Sequence, residues 1–386
     1  MGLRLALAFA GFVLIGLGAG ASGVLLPAQI DYYGLDKSVV GVLFLAFSTG
    51  YVAAGVANGL LLRRLGVRGH LVLGAGLFAV STGACGLLPP YPVFVALTLS
   101  FGVGTGMIDA GLNAFVSTLP KHTALLNYLH AFFGVGALAG PVLAVALLDQ
   151  GFSWGSVYLV LSVCSLPLLV GYGLSLPGVS PPPSDIEGDI RPSAVGAAMR
   201  HRAVILAAVF LALYVGVEVS IGNWGYSFLV EERGQAALLA GWVISGFWFG
   251  FTAGRFLLNS VAERFGIGPV ALTFGCLACV AASVGLAWFA PADWAVAIGL
   301  ATLGFFLGPV FPLTIAILPR MAPAWLVPSA IGITIGASVV GGAFFPWVAG
   351  TFAHNWGLGT LLPFVLLLVA LLLANWWRIA RRVAPV

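Results

Sequence analysis

Long apolar runs dominate this chain, and short polar segments separate them. We count twelve runs, each about 20 residues long or longer, the length that an α-helix needs to cross the hydrocarbon core of a bilayer. A β-barrel would instead give alternating segments of about ten residues. The pattern therefore predicts an all-α membrane protein with twelve transmembrane helices, at residues 4–29, 38–61, 70–88, 92–117, 124–148, 154–176, 203–229, 237–259, 267–289, 293–317, 327–351 and 357–380.

One polar segment is much longer than the others and lies near the middle of the chain. It contains three consecutive prolines, Pro181 to Pro183, together with acidic and basic residues. Such a composition is typical of a linker. We therefore expect two six-helix bundles, residues 1–177 and 203–386, joined by a linker at 178–202.

Composition supports the membrane assignment. The chain is 61% hydrophobic and only 7% charged, with a mean hydropathy of +1.09, whereas soluble domains carry about 25% charged residues. The sequence has no nucleotide-phosphate motif, metal-ligand cluster or nucleophile triad. We therefore predict neither an enzyme nor a bound cofactor.

The distribution of Lys and Arg predicts the orientation, because cytoplasmic loops are enriched in both. If the N-terminus is cytoplasmic, 13 of the 16 basic residues fall on the cytoplasmic side. We therefore expect a multi-pass protein of the inner (plasma) membrane with both termini in the cytoplasm. The net charge of +4 follows from this topology and requires no nucleic-acid partner.

Two acidic residues, Asp109 and Glu218, lie deep inside apolar runs, one in each half of the chain. A carboxylate inside a membrane helix is costly and is by default a candidate for function. We predict that both take part in proton coupling, Glu218 first, because taking up a proton removes the buried charge. The alternative for Asp109 is a structural pairing with a buried base or with backbone groups.

Other polar and aromatic residues share helix faces with these acids or lie on neighbouring runs. Asn113 follows Asp109 by one helical turn, and Asn127 and His130 share a face of the fifth run. In the seventh run, glycines flank Asn223 and Trp224, which predicts a kinked or unwound helix, although Trp224 could equally pack in the core. The predicted substrate-binding residues are Asn113, Asn127, His130, Tyr214, Asn223, Trp224, Trp248 and Trp347.

A short loop motif occurs twice, 200 residues apart. Arg63-Arg64-Leu65-Gly66 follows the second run, and Glu263-Arg264-Phe265-Gly266 follows the eighth. Both resemble the loop signature of the major facilitator superfamily, although Arg63 replaces its acid in the first copy. The resemblance implies a 6+6 bundle with a midplane site between the halves and transport by alternating access. The predicted gating residues are Arg64, Glu263, Arg264 and Arg255; the alternative for Arg255 is that it extends to the membrane surface.

The fourth and fifth runs carry a closer resemblance. The patterns Gly104-x-Gly106-x-x-Asp109-x-x-x-Asn113 and Asn127-x-x-His130-x-x-x-Gly134 are similar to the fucose:proton symporter branch of that superfamily. The resemblance implies a sugar as solute and a proton as coupling ion. The branch carries a coupling acid in its first helix where this chain has Gly23, so we expect Glu218 to replace it.

We therefore predict a monomeric secondary transporter that moves a small polar solute, a sugar, with proton coupling. A proton-driven exporter of hydrophobic or amphipathic compounds is the first alternative. A membrane sensor or lipid scramblase without gradient dependence is the second.

Overall fold

The computed structural model describes residues 2–176 and 192–383, and throughout these ranges the regular elements are helices. They are α1 (Gly2–Tyr33), α2 (Lys37–Val40), α3 (Val42–Gly86), α4 (Tyr91–Ser117), α5 (His122–Asp149), α6 (Gly155–Ser175), α7 (Pro192–Arg200), α8 (Arg202–Ser227), α9 (Ala237–Arg264), α10 (Pro269–Phe289), α11 (Asp293–Leu307), α12 (Val310–Ile317), α13 (Val327–Trp356) and α14 (Leu361–Ala380). A π-helical turn, Phe228–Glu232, extends α8.

The number of membrane spans agrees with the sequence. Within the described ranges, 11 helical segments are long and apolar enough to cross a membrane, one of them the 50-residue segment Lys37–Gly86. Gly66 has a non-helical conformation inside this segment, with φ +65° and ψ 173°. Because the chain turns at Gly66, the segment provides two spans, and the total of twelve is confirmed.

The chain packs as two compact units, Met1–Ile186 with Ala236–Ser245, and Glu187–Gln235 with Gly246–Val386. In the first unit, α1 packs on α5, and α3 packs on α4 and α6. In the second unit, α8 packs on α13 and α14, and α10 packs on α11 and α14. Residues 178–191 of the predicted linker lie outside the described residues, and 192–200 form α7.

Glycine brings helix backbones into direct contact in the first unit. A Cβ atom built on Gly50 of α3 would overlap the carbonyl oxygen of Leu99, and one built on Gly102 of α4 would overlap that of Phe47. Small residues allow this close approach in membranes, where lipid-facing and protein-facing surfaces are equally apolar and packing drives helix association. The polar residues of α3 and α4 are thereby held close together.

The second unit repeats this arrangement. A Cβ on Gly250 of α9 would overlap the carbonyl oxygen of Ala301, and one on Gly304 of α11 would overlap that of Phe247. Gly50 and Gly250 are 200 residues apart, and Gly102 and Gly304 are 202 apart. The two halves therefore use the same backbone contact at corresponding positions.

Turn glycines show the same repeat. Across the described ranges, the glycines with positive φ are Gly34 and Gly234, Gly66 and Gly266, and Gly151 and Gly357, three pairs 200 to 206 residues apart. Their φ values agree within each pair, at +62° and +65°, +65° and +65°, and +83° and +84°. The repeated loop expected at Gly66 and Gly266 is therefore one of three matching turns.

One expectation about helix continuity is wrong. The kink or unwound turn predicted around Asn223 does not occur, because α8 runs without interruption to Ser227. The tenth predicted span, 293–317, is observed within the membrane-spanning segment Asp293–Arg320, in which a short turn at Gly308 and Pro309 separates α11 from α12. Gly222 serves close packing, since a Cβ there would lie 3.0 Å from the Trp248 ring, and such a glycine needs no break in its helix.

Candidate functional site

Asp109 forms the centre of a polar cluster in the first unit. The Tyr51 hydroxyl of α3 donates a hydrogen bond to Oδ2 of Asp109. The Asn113 Nδ2 donates to Oδ1 at 2.9 Å and to the Asp109 carbonyl oxygen at 3.0 Å. The helical period thus brings Asp109 and Asn113 into contact, and both residues are half-buried.

Tyr51 is a partner that sequence reasoning missed. It lies 58 residues from Asp109 and on another helix, so no local spacing connects the two. Gly106 allows the contact, since a Cβ there would come within 2.8 Å of the Tyr51 carbonyl oxygen. Gly106 lies about one helical turn before Asp109. A glycine in that position is the sequence signal that could have indicated a neighbouring helix close to the acid.

The cluster suits recognition of hydroxyl groups. Both hydrogen-bond donors to Asp109 are neutral groups. A carboxylate accepts up to about four hydrogen bonds, and an amide both donates and accepts. The cluster therefore retains hydrogen-bonding capacity for a polar solute.

Asn127 and His130 lie on α5, and both are exposed. The His130 ring meets Phe12 of α1 edge-on, with ring centroids 5.4 Å apart and an interplanar angle of 86°. This contact fixes the ring against α1 and leaves the residue accessible.

Glu218 lies in a charged cluster of the second unit. The Arg255 guanidinium of α9 acts electrostatically on the Glu218 carboxylate and on the Tyr214 hydroxyl. Glu218 and Arg255 are half-buried. Arg255 is therefore the counter-charge of Glu218 in this cluster.

Two further contacts hold Arg255. Its Nε donates to the carbonyl oxygen of Gly308 at 3.3 Å, and its guanidinium carbon lies 4.7 Å from the centroid of the Phe251 ring. A cation over an aromatic face is attracted by the ring quadrupole. Arg255 thus keeps partners that do not depend on the charge of Glu218.

Tyr214 is the buried member of this cluster. It is wholly inaccessible to solvent, and its ring lies 6.0 Å from that of Phe311. Its hydroxyl lies beside Glu218 and Arg255, yet among the described residues none meets the geometry of a full hydrogen bond with it. The Tyr214 hydroxyl therefore lies next to both charged groups of the cluster.

Trp224 packs inside the second unit. It is fully buried, and its indole Nε1 donates to the carbonyl oxygen of Pro346 at 2.8 Å. Asn223 is also buried. The structure therefore favours the packing role that was the alternative for Trp224.

The other two tryptophans differ in exposure. Trp248 is buried beside Phe247 and Phe251, and its indole N–H has no hydrogen-bond partner in the described part of the chain. Trp347 is half-buried and lies 6.0 Å from the Phe344 ring. Trp347 is the more accessible of the two for a solute.

The predicted gating residues of the repeated loops are on the surface. Arg64, Glu263 and Arg264 are all exposed, next to the matching turns at Gly66 and Gly266. Arg255 lies apart from them, in the Glu218 cluster.

His70 is a second residue that sequence reasoning missed. It is fully buried in α3, and its Nε2 lies 3.0 Å from the Met107 carbonyl oxygen. A Cβ on Gly111 would come within 2.7 Å of the His70 ring. The contact joins α3 to α4 beside the Asp109 cluster and is structural.

Comparison with known proteins identifies the family. The sequence matches the model of the Major Facilitator Superfamily over residues 8–234 and 206–386. The chain belongs to this superfamily. Its relatives and its fold are those of transporters, so it is not an enzyme.

Several relatives of this superfamily protein extend over most of its length. "Bypass of stop codon protein 6" of Saccharomyces cerevisiae is 26% identical over 95% of this chain and 80% of its own. A glucose/galactose transporter of Brucella abortus is 24% identical over 89% of this chain and 86% of its own. The crystal structure of the Escherichia coli fucose:proton symporter has the same fold, with a TM-score of 0.67, 20% identity and coverage of 99% of both chains.

Proposed function

We propose that the protein moves a small polar solute, a sugar, across the membrane by alternating access with proton coupling. The Brucella relative is named a glucose/galactose transporter, and the solved structure with the same fold is a fucose:proton symporter. The Asp109 cluster supports a hydroxylated solute, because it combines a carboxylate, an amide and a phenol.

The Glu218 cluster is the observation that carries the proposal of proton coupling. Glu218 is a half-buried carboxylate inside an apolar helix, with Arg255 as its counter-charge and Tyr214 beside both. Intramembrane acids with a named partner are typical of proton relays.

The proposed coupling step transfers one proton to Glu218. The carboxylate becomes a neutral acid, and the electrostatic attraction between Glu218 and Arg255 ends. Arg255 then relies on the Gly308 carbonyl and the Phe251 ring, and Tyr214 can donate to or accept from the neutral acid. Loss of the proton restores the attraction between α8 and α9.

The roles of the remaining residues follow from accessibility. We propose that Asp109, Asn113, Asn127 and His130 contact the solute, since all four are exposed or half-buried. Trp347 supplies an aromatic face for the apolar side of a sugar ring.

We further propose that the protein acts as a monomer in the plasma membrane, with both termini in the cytoplasm. The excess of Lys and Arg in the segments assigned to the cytoplasmic side supports this orientation. The bilayer and the solute are then its partners, with the proton as coupling ion.

Transport by purified protein in proteoliposomes tests the proposal. We expect Glu218→Gln to abolish accumulation of labelled sugar driven by a pH gradient, while sugar counterflow without a gradient continues. Glucose, galactose and fucose are the first solutes to try. Asp293→Asn is the matched control, because Asp293 is an exposed carboxylate that lies 4.0 Å from Arg233 at the surface.

Full accumulation by Glu218→Gln would refute the coupling role. Absence of counterflow for every sugar, together with pH-driven efflux of amphipathic dyes, would replace the sugar proposal with the exporter alternative.

A further inference from the structure

A groove with a volume of about 600 Å³ lies between the start of α8 and the end of α14, within the second unit. Four arginines line it: Arg202, Arg378, Arg381 and Arg382. Its described lining contains no acidic residue. Four like charges around one groove repel one another, so the groove favours an anionic occupant.

The rest of the groove is apolar. Ile205 and Leu206 belong to the first turns of α8, and Trp377 belongs to the last turn of α14. Ile205 is 44% exposed and Trp377 is 54% exposed. The Arg381 guanidinium carbon lies 4.7 Å from the centroid of the Trp377 ring, so the cationic and apolar parts of the groove adjoin.

The position of the groove identifies the kind of anion. α8 and α14 are both membrane-spanning segments, and the ends of such helices lie at the depth of the lipid headgroups. Tryptophan is enriched at that depth, and basic pockets between helices bind anionic headgroups there. Arginine also suits phosphate, because its planar fork donates two parallel hydrogen bonds.

We propose that this groove binds an anionic phospholipid. The phosphate contacts the arginines, and the first part of the acyl chains lies against Ile205, Leu206 and Trp377. A free phosphate would use the arginines alone, whereas a neutral lipid would use only the apolar surface. The combination of both surfaces in one groove is what selects an anionic amphiphile.

Native mass spectrometry of the detergent-purified protein, titrated with lipid, tests this proposal. The probes are tetraoleoyl cardiolipin, dioleoylphosphatidylglycerol, dioleoylphosphatidylcholine and glycerol 3-phosphate. We expect the two anionic lipids to bind at least about tenfold more tightly than phosphatidylcholine. Each basic residue near a membrane surface contributes about fivefold to binding an anionic lipid, so Arg378→Gln with Arg382→Gln should weaken anionic lipid binding roughly 30-fold.

A charge-matched control is available. Lys121→Gln with Arg320→Gln also removes two exposed cations, neither of which lines the groove, and it should bind lipid like the wild type. The single variant Arg382→Gln, which lies beyond the end of α14, serves if the double variant does not fold. Equal weakening by both double variants, equal binding of phosphatidylcholine, or displacement of the lipid by equimolar glycerol 3-phosphate would each overturn the proposal.

Discussion

Replacing Gly308 with alanine tests the close packing that positions Arg255. Gly308 follows α11 with helical dihedral angles, φ −48° and ψ −50°, which alanine adopts without strain. A Cβ there would overlap the Phe251 carbonyl oxygen and come within 2.9 Å of the Arg255 backbone nitrogen. These are backbone atoms of α9 and cannot rotate away, so α9 has to shift. The shift separates Arg255 from the Gly308 carbonyl, its acceptor at 3.3 Å.

The expected cost follows from two opposing effects. Where alanine can adopt the native dihedral angles, replacing glycine with alanine stabilises a protein by up to about 1 kcal/mol, because the unfolded chain loses conformational freedom. Overpacking costs about 1 to 3 kcal/mol, and a rigid backbone obstacle places Gly308→Ala near the upper end. The net destabilisation is therefore about 2 kcal/mol. Gly246→Ala in α9 is the control, because its nearest heavy atom, the Cβ of Ala301, lies 3.9 Å from the added Cβ.

Thermal unfolding in detergent, followed by tryptophan fluorescence, measures the difference. We expect Gly308→Ala to lower Tm by about 4 °C and Gly246→Ala to leave it unchanged or raise it. In proteoliposomes, Gly308→Ala should lose more pH-driven accumulation than counterflow, because Arg255 no longer faces Glu218 correctly. A Gly308→Ala protein that melts at or above the wild-type Tm would refute the packing argument.

Three further predictions concern single side chains. Trp224→Phe removes the 2.8 Å hydrogen bond to the Pro346 carbonyl and should lower the unfolding free energy by about 1 to 2 kcal/mol; an unchanged Tm would contradict the packing role. Gly266→Ala places a Cβ at φ +65° and should cost about 1 kcal/mol in stability, and Gly266→Asn should cost less. Equal Tm values for the alanine and asparagine variants would exclude backbone strain as the cause of the destabilisation. Tyr51→Phe removes the hydroxyl that donates to Asp109. It should weaken sugar binding, measured by calorimetry, about fivefold without lowering Tm. An unchanged affinity would show that Tyr51 takes no part in solute binding.

Helix positions could be predicted well from the sequence. The run at 92–117 is observed as Tyr91–Ser117, and the run at 203–229 as Arg202–Ser227 with a following π-helical turn. A membrane helix must satisfy its backbone hydrogen bonds within the segment, so its extent is a local property. Local properties are what hydropathy measures.

Glycine was harder to interpret because it serves different purposes in similar surroundings. Gly222 was expected to break its helix, yet it lets the Trp248 ring approach α8. At Gly308 and Pro309, by contrast, a short turn separates α11 from α12, and proline has no backbone N–H to donate. The proline is a local signal, whereas the packing role of Gly222 depends on a residue of another helix and cannot be read from the sequence around it.

The internal repeat connects the two candidate clusters. Tyr51 and Phe251 are 200 residues apart, and each presents its carbonyl oxygen to a glycine of the neighbouring helix, Gly106 and Gly308 respectively. At this shared position, Tyr51 directs a hydroxyl to Asp109, whereas Phe251 offers a ring face to Arg255.

One scaffold position therefore supports a carboxylate with neutral hydrogen-bond donors in one half and a carboxylate beside a cation in the other. Neutral donors suit reversible binding of hydroxyl groups, because the solute can replace or extend their hydrogen bonds at little cost. A cation beside a carboxylate suits proton coupling, because its attraction ends when the acid is neutralised. The two halves thus differ in chemistry where they agree in backbone, and this difference supports our proposal that Asp109 binds the solute and Glu218 couples transport to protons.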